Sequence, residues 1–268
     1  MREALETAIT LAPRHIPAQL AYTRMLVLEG KEEKVKEQLQ ILNELIPDHP
    51  DVLRLKAYLA RNQGDQEMTS ALLEEVLEKS PSTASMLSVS RQKWAMGDQR
   101  AVLQLQERWT AEHPDDLTAS LALAAVYAQQ GQGEKAISQY QKVLEKDEQN
   151  VAALNDLAWH LRNEQPEKAL EYAERASKLA PESSAVMDTF ALVLLKNGDI
   201  ERARKNIERA LVMMPDNPAY RYHLAMIDVA AGDKVSAIKA LQALLSEGRN
   251  FPEKSEMQRL LAELQAGT

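Results

Sequence analysis

The sequence contains no cysteine, which excludes disulfides, thiolate metal ligands and a cysteine nucleophile. Aromatic residues are scarce, with 2 Phe, 3 Trp and 7 Tyr among 268 residues, and so are the turn formers, with 9 Gly and 11 Pro. A chain poor in strand and turn formers and filled with Leu, Ala, Glu, Gln, Lys and Arg has the composition of a helical protein. Long hydrophobic runs are missing too. The most apolar stretch, Leu121 to Ala128, falls far short of the roughly 20 residues a membrane-spanning helix needs. The opening MREALETAITLAP mixes charge into an amphipathic pattern and does not read as a signal peptide. Positive charge is in deficit, with 32 Lys and Arg against 40 Asp and Glu for a net −8. Such a balance supplies no general field for nucleic acid or an anionic membrane, so no nucleic-acid partner and no direct membrane insertion are expected. With 45% hydrophobic residues, the chain has enough apolar surface for a sizeable core.

What is present is a beat. Pro13, Pro47, Pro81, Pro114, Pro181 and Pro215 are separated by 34, 34, 33, 67 and 34 residues, and Gly30, Gly64, Gly97, Gly131, Gly198 and Gly232 by 34, 33, 34, 67 and 34. The gap of 67 is two periods with the middle mark missing. Between each proline and glycine lies a stretch of helix formers, so each period reads as a helix, a glycine turn and a second, antiparallel helix. Glycine suits the reversal because the left-handed conformation costs other residues about 1–2 kcal/mol. Asp65, Asp98, Asp199 and Asp233 follow four of these glycines, where their carboxylates can cap the next helix. Ala136, Ala169, Ala203 and Ala237 open second helices, and Tyr140, Ala173, Ile207 and Leu241 follow four residues later as packing positions.

Leu121-Ala-Leu-Ala-Ala-Val-Tyr127 followed by Ala136 and Tyr140, and Leu154-Asn-Asp-Leu-Ala158 followed by Ala169, Ala176 and Pro181, resemble the tetratricopeptide repeat (TPR) family over essentially the whole chain. That resemblance implies an all-α protein, a right-handed α-solenoid of antiparallel helix pairs. Residues 1–13 are expected to be the second helix of a truncated repeat, and therefore to mark an excised portion of a longer protein. Seven repeats are expected at 14–47, 48–81, 82–114, 115–148, 149–181, 182–215 and 216–249. A capping helix and tail follow at 250–268, with Met257, Leu260, Leu261 and Leu264 covering the last repeat.

Catalytic constellations are absent from the sequence. His15, His49, His113, His160 and His223 show no paired-ligand spacing, His49 and His113 read as polar loop residues, and no phosphate-cradling glycine cluster occurs. No enzyme, cofactor or metal is expected. In TPR proteins the first helices line a concave groove that receives extended peptides or helices. Counting back from the turns places Arg24, Arg54, Tyr58, Arg61, Arg91, Trp94, Asn155, Trp159, Arg162, Asp188 and Tyr222 on that face. Arginine clamps carboxylates bidentately and the aromatics beside it supply apolar contact, so the face suits an acidic protein or peptide segment, or an anionic polysaccharide. The alternative is that these arginines pair with acidic residues of neighbouring helices and that Trp159 fills a gap between repeats. Only Asn155 matches the Lys and Asn pattern of chaperone-binding family members, so that function is not carried over.

Asn155-Asp-Leu-Ala-Trp159, Ala169-Leu-Glu-Tyr-Ala173, Met187-Asp-Thr189, Lys196-Asn-Gly-Asp199, Tyr222-His-Leu-Ala225 and Phe251-Pro-Glu253 occur in an order that resembles the C-terminal region of TPR lipoproteins associated with PEP-CTERM/exosortase systems and the periplasmic TPR scaffolds of exopolysaccharide export. Where such tails often carry Gly-Trp after Asp-Thr, this chain has Phe190-Ala191. The resemblance covers about residues 150–264. It implies a non-catalytic scaffold of a bacterial envelope assembly, periplasmic and tethered through an upstream lipid. The alternative class is a cytosolic adaptor or co-chaperone, or the regulatory region of a larger enzyme.

Overall fold

In the computed structural model, which describes residues 2–266, the described residues form sixteen helices and no strand: α1 (Arg2–Leu11), α2 (Ile16–Leu28), α3 (Glu32–Leu45), α4 (Pro50–Asn62), α5 (Gln66–Lys79), α6 (Thr83–Ala95), α7 (Gln99–Glu112), α8 (Leu117–Gln129), α9 (Gly133–Lys146), α10 (Val151–Leu161), α11 (Pro166–Leu179), α12 (Ser184–Lys196), α13 (Ile200–Met213), α14 (Pro218–Ala230), α15 (Lys234–Ser246) and α16 (Lys254–Ala266). The last two residues of the expected tail, 267 and 268, lie outside the described residues. None of the helices is long and apolar enough to cross a membrane. Contacts divide the chain into two compact units, one up to Val126 and one from Tyr127.

Both units use the same local grammar. Gly30, Gly64 and Gly97 in the first unit and Gly198 and Gly232 in the second stand at φ between 67° and 86°, between the two helices of a pair. The next residue but one begins the second helix; after Gly30 the intervening Lys31 makes no side-chain cap, and after the other four the intervening aspartate caps the helix. Asp65 accepts from the Met68 amide at 2.9 Å, Asp98 from Ala101 at 3.0 Å, Asp199 from Arg202 at 3.1 Å and Asp233 from Ser236 at 3.0 Å. Each such cap satisfies an amide with no partner inside the helix and contributes about 1 kcal/mol. The first helices are capped in their own way. Ser82, Asn150, Ser183 and Asn217 do it, and so do the imidazoles of His15 and His49, which accept from the Ala18 and Asp51 amides at 3.3 and 3.2 Å.

In the first unit, Leu20, Tyr22, Leu26, Val35, Leu42, Val52 and Leu55 form one buried cluster, against which α1 lays Leu5 and Ile9. A second cluster joins Ala57 and Leu73 to Met86, Val89, Leu105 and Trp109. A polar staple closes it: Asp116 accepts from the Thr83 hydroxyl, from the Trp109 indole at 3.0 Å and from the Ala119 amide at 2.9 Å. Burial pushes the Asp116 carboxyl up, but these donors outweigh it and hold it below its usual range.

In the second unit, Ala136, Ala169, Ala203 and Ala237 are all fully buried at the start of successive second helices. A methyl at each of these sites lets the paired first helix approach closely. Tyr140, Ala173, Ile207 and Leu241, one turn later, are buried as well. The centre of this unit is α12, where every residue from Val186 to Leu194 is buried and where α10, α11, α13 and α14 all pack. At the end of the unit, α16 places Met257, Leu261 and Leu264 with Phe251 against Tyr222, Ala225, Leu241 and Leu244, so it closes the last pair as a cap must.

Candidate functional site

On α4, Arg54, Tyr58 and Arg61 follow at i, i+4 and i+7, which puts them on one helix face. That face and α6, with a floor from α5, enclose a recess of about 520 Å³. Arg54, Ala57, Tyr58 and Arg61 form one wall, Ser88, Arg91, Gln92 and Ala95 the other, and Gly64, Gln66, Thr69 and Leu73 complete the lining. Ala57, Thr69, Ser88 and Ala95 keep part of the lining small, beside the larger Tyr58 and Leu73. Three guanidinium groups line it and no acidic residue does.

The arginines differ in what holds them. Arg24 of α2 and Arg54 share Asp51, with Nη2 to Oδ2 at 2.8 Å and Nη1 to Oδ1 at 2.9 Å. Burial pushes the Asp51 carboxyl up, but these two cations outweigh it and hold it below the usual carboxylate range. Arg91 reaches only the Ser88 hydroxyl, at 3.2 Å, and Arg61 makes no ion pair or side-chain hydrogen bond among the described residues. Both are exposed. Trp94 is half-buried in the last turn of α6 and does not line the recess. The structure thus brings Arg54, Tyr58, Arg61 and Arg91 together and holds Arg24 beside them only through Asp51.

In the second unit the equivalent spacing occurs on α10 and its C-cap, where Asn155, Trp159 and Arg162 stand at i, i+4 and i+7. Here the arginine folds back. The Arg162 guanidinium lies 3.6 Å from the centroid of the Trp159 ring and donates to the Trp159 carbonyl. Burial lowers the Arg162 pKa against the opposing pull of Asp188. Asp188 itself, on α12, accepts from Nδ1 of His223 on α14 at 2.6 Å, with both side chains buried. The His223 ring is 6.5 Å from Trp159 and 5.7 Å from Tyr222. Tyr222 is buried and its hydroxyl pKa is raised, first by that burial and then by Glu256 and Glu253.

Beneath this cluster, His160 stacks on Tyr140 at 5.9 Å. Burial lowers the His160 pKa, Asp156 opposes and Arg162 adds to the lowering. Tyr140 is pushed well above its ordinary value by burial and by Asp156. The Asn155 amide donates to Asp156 at 3.2 Å, while its buried Oδ1 has no partner. Asn155, Trp159, Arg162, Asp188 and Tyr222 therefore lie in a region whose charges answer one another.

Sequence reasoning missed His223 as a member of this group. The available signal was its distance of one period plus one residue from Asp188, beside Tyr222 on the same helix. Among the described residues no three His, Asp or Glu side chains are grouped to hold a metal ion.

Residues 99–151 and 194–264 each match a tetratricopeptide repeat family model. No match emerges among curated protein sequences. Among solved structures, the chain is similar to a tetratricopeptide repeat protein from Parabacteroides merdae, at 16% identity and a TM-score of 0.67, over 81% of this chain and 87% of that one. It is similar at 13% identity and the same TM-score to the APC/C hetero-tetramer Cut9-Hcn1, over 97% of this chain and 51% of that one. A thermophilic TPR protein of Thermus thermophilus matches at 20% identity and a TM-score of 0.55, over 69% of this chain and all of that one. The caps, the left-handed glycines, the alanine approach positions and these likenesses together give the chain the fold of an α-solenoid of antiparallel helix pairs, with tetratricopeptide repeat models matched at residues 99–151 and 194–264.

Proposed function

We propose that the protein is a non-catalytic interaction scaffold whose first unit receives a protein segment, acidic in character, on the face formed by α4 and α6. The observation that carries this reading is the pair Arg61 and Arg91: two exposed guanidinium groups on one recess, with no carboxylate to answer either, in a chain of net −8. Unmatched like charge around a cavity is a cost to the folded chain that a complementary ligand relieves. The resemblance of residues 150–264 to TPR lipoproteins of exosortase systems and to exopolysaccharide-export scaffolds supports a place for the scaffold in a bacterial envelope assembly, facing the periplasm.

The test is capture from a periplasmic extract of the source bacterium, comparing the wild-type protein with a variant carrying Arg54→Glu, Arg61→Glu and Arg91→Glu. A protein held by the wild type, identified by cross-linking and mass spectrometry, is expected to be lost by the variant while the helical circular-dichroism spectrum stays the same. Equal capture by both proteins would remove the recess from the reading. Fractionation that finds the full protein only in the cytosol would remove the envelope.

A further inference from the structure

We infer that the recess recognises an extended protein segment with two acidic side chains three residues apart, and not a single anionic group. This rests on the scaffold reading of the same face. The argument is one of spacing. Arg54 and Arg61 are seven residues apart on one straight helix, which separates their Cα atoms by about 10 Å along the axis. Arg91 stands on the opposite wall six residues before Gly97, as Tyr58 stands six before Gly64, so it lies at a level between the other two. One carboxylate or one phosphate cannot occupy both ends of such an array. A segment in polyproline II conformation advances about 3.1 Å per residue with three residues per turn, so side chains at i and i+3 share one side about 9 Å apart. Acidic residues at those positions match Arg54 and Arg61.

The chemistry of the lining supports an extended chain. Gln66, Thr69, Ser88 and Gln92 offer hydrogen-bonding groups between the arginines, and an extended segment has every backbone amide and carbonyl free to meet them. Tyr58 supplies the flat apolar contact on which proline-rich segments pack. Arg54 is already engaged by Asp51 through one nitrogen, which fixes its position, and Arg61 and Arg91 are uncommitted. Arg54, positioned by that one contact with its other nitrogens open, and the free Arg61 are therefore expected to take the two acids, with Arg91 between them reinforcing both.

The probe is an end-blocked, proline-rich peptide with glutamates at i and i+3, followed by fluorescence anisotropy on the wild-type chain. Two relatives serve as controls, one with the glutamates adjacent and one with both replaced by glutamine. The spaced peptide is expected to bind about fivefold tighter than the adjacent one, and Arg61→Gln and Arg91→Gln each to weaken it about fivefold, the upper end for an exposed ion pair. Its affinity is expected to fall as salt rises. Equal affinity for spaced and adjacent peptides, no response to either arginine variant, or displacement by inorganic phosphate at concentrations that match the peptide would each overturn the inference. So would tighter, arginine-dependent binding of oligogalacturonate, which would make the occupant a polysaccharide. The two readings fail separately. Arginine-dependent capture of a natural partner without a spacing preference leaves the scaffold and removes this inference, whereas a spacing preference with unchanged capture does the reverse.

Discussion

The face formed by α4 and α6 in the first unit and the face formed by α10, α12 and α14 in the second are made of the same materials, arginine beside aromatic rings at i, i+4 and i+7, yet they reach opposite states. On α4 only Ala57 and Tyr58 line the recess between the arginines, and no acid stands opposite Arg61, so the recess stays open and its charge unanswered. On α10 the arginine has an indole to lie on, an aspartate across from it on α12 and a histidine behind that aspartate, so the space is filled by the chain itself. A periodic sequence thus repeats the position of a side chain without repeating its fate. What differs is the residue one period further along the chain, Ser88 and Arg91 in one case and Asp188 in the other. The open face is available to a ligand; the filled face contributes to the fold.

The sharpest way to break that comparison is to remove the acid from the filled face. Asp188→Ala leaves the buried His223 without its acceptor and takes away an anionic counterweight to the half-buried Arg162. Breaking a buried pair by deleting one partner costs about 3–5 kcal/mol, so urea unfolding of this variant is expected to shift by that amount, with Trp159 emission as a local reporter. A shift under about 0.5 kcal/mol, the range of an ordinary surface change, would mean that the second face is as open as the first.

A smaller effect is expected from Asp116, which shows that the first unit is not simply the looser of the two. Its carboxylate holds α6, α7 and α8 through Thr83, Trp109 and the Ala119 amide, and Asp116→Ala is expected to cost about 2 kcal/mol. The same group carries a pH signature. Because its native pKa is depressed, its contribution is fully present above the unfolded value of about 3.9 and is lost as pH falls below that toward the native value. Quenching or shift of Trp109 emission between about pH 4 and pH 2 that disappears in the variant is the expected observation. An acid transition unchanged by the substitution would assign it to other carboxylates, Asp51 first among them, since Arg24 and Arg54 depress it in the same sense.

Much of the fold can be read from the sequence because it is enforced by the backbone. Glycine at the reversal, aspartate after it and alanine at the close approach each answer a single local requirement, and the structure meets all three at Gly198, Asp199 and Ala203. The pairings of side chains are another matter. Asp188 and His223 are 35 residues apart in a repeat of 34, so their contact depends on how two packed helices are rotated about their axes, which no count of residues supplies. The partner of Arg24 and Arg54 is likewise a single aspartate in the first turn of α4 that serves both, where a count of helix faces points only to acidic neighbours in general. His15 and His49, polar residues ahead of a helix, turn out to be its caps, a role that histidine fills less often than Ser, Thr, Asp or Asn. The candidate positions on α4 and α6 share a recess because both helices keep one register, whereas Trp94 stands aside from it in the final turn of α6.

The least visible change is also the one that separates the two faces most cleanly. Arg61→Gln and Arg91→Gln remove charges that no residue of the fold answers, so the double variant is expected to unfold within about 0.5 kcal/mol of the wild type, as exposed substitutions do. Relief of the repulsion between two cations facing one recess even favours a slight gain. The equivalent change on the filled face, Arg162→Gln, withdraws a cation stacked 3.6 Å over Trp159 and opposite Asp188, and is expected to cost at least about 1 kcal/mol more than the double variant. Paired thermal melts of these two proteins decide the point. If Arg61 and Arg91 prove as costly to remove as Arg162, they are holding the first unit together through contacts of their own, and the recess between them has no need of a ligand.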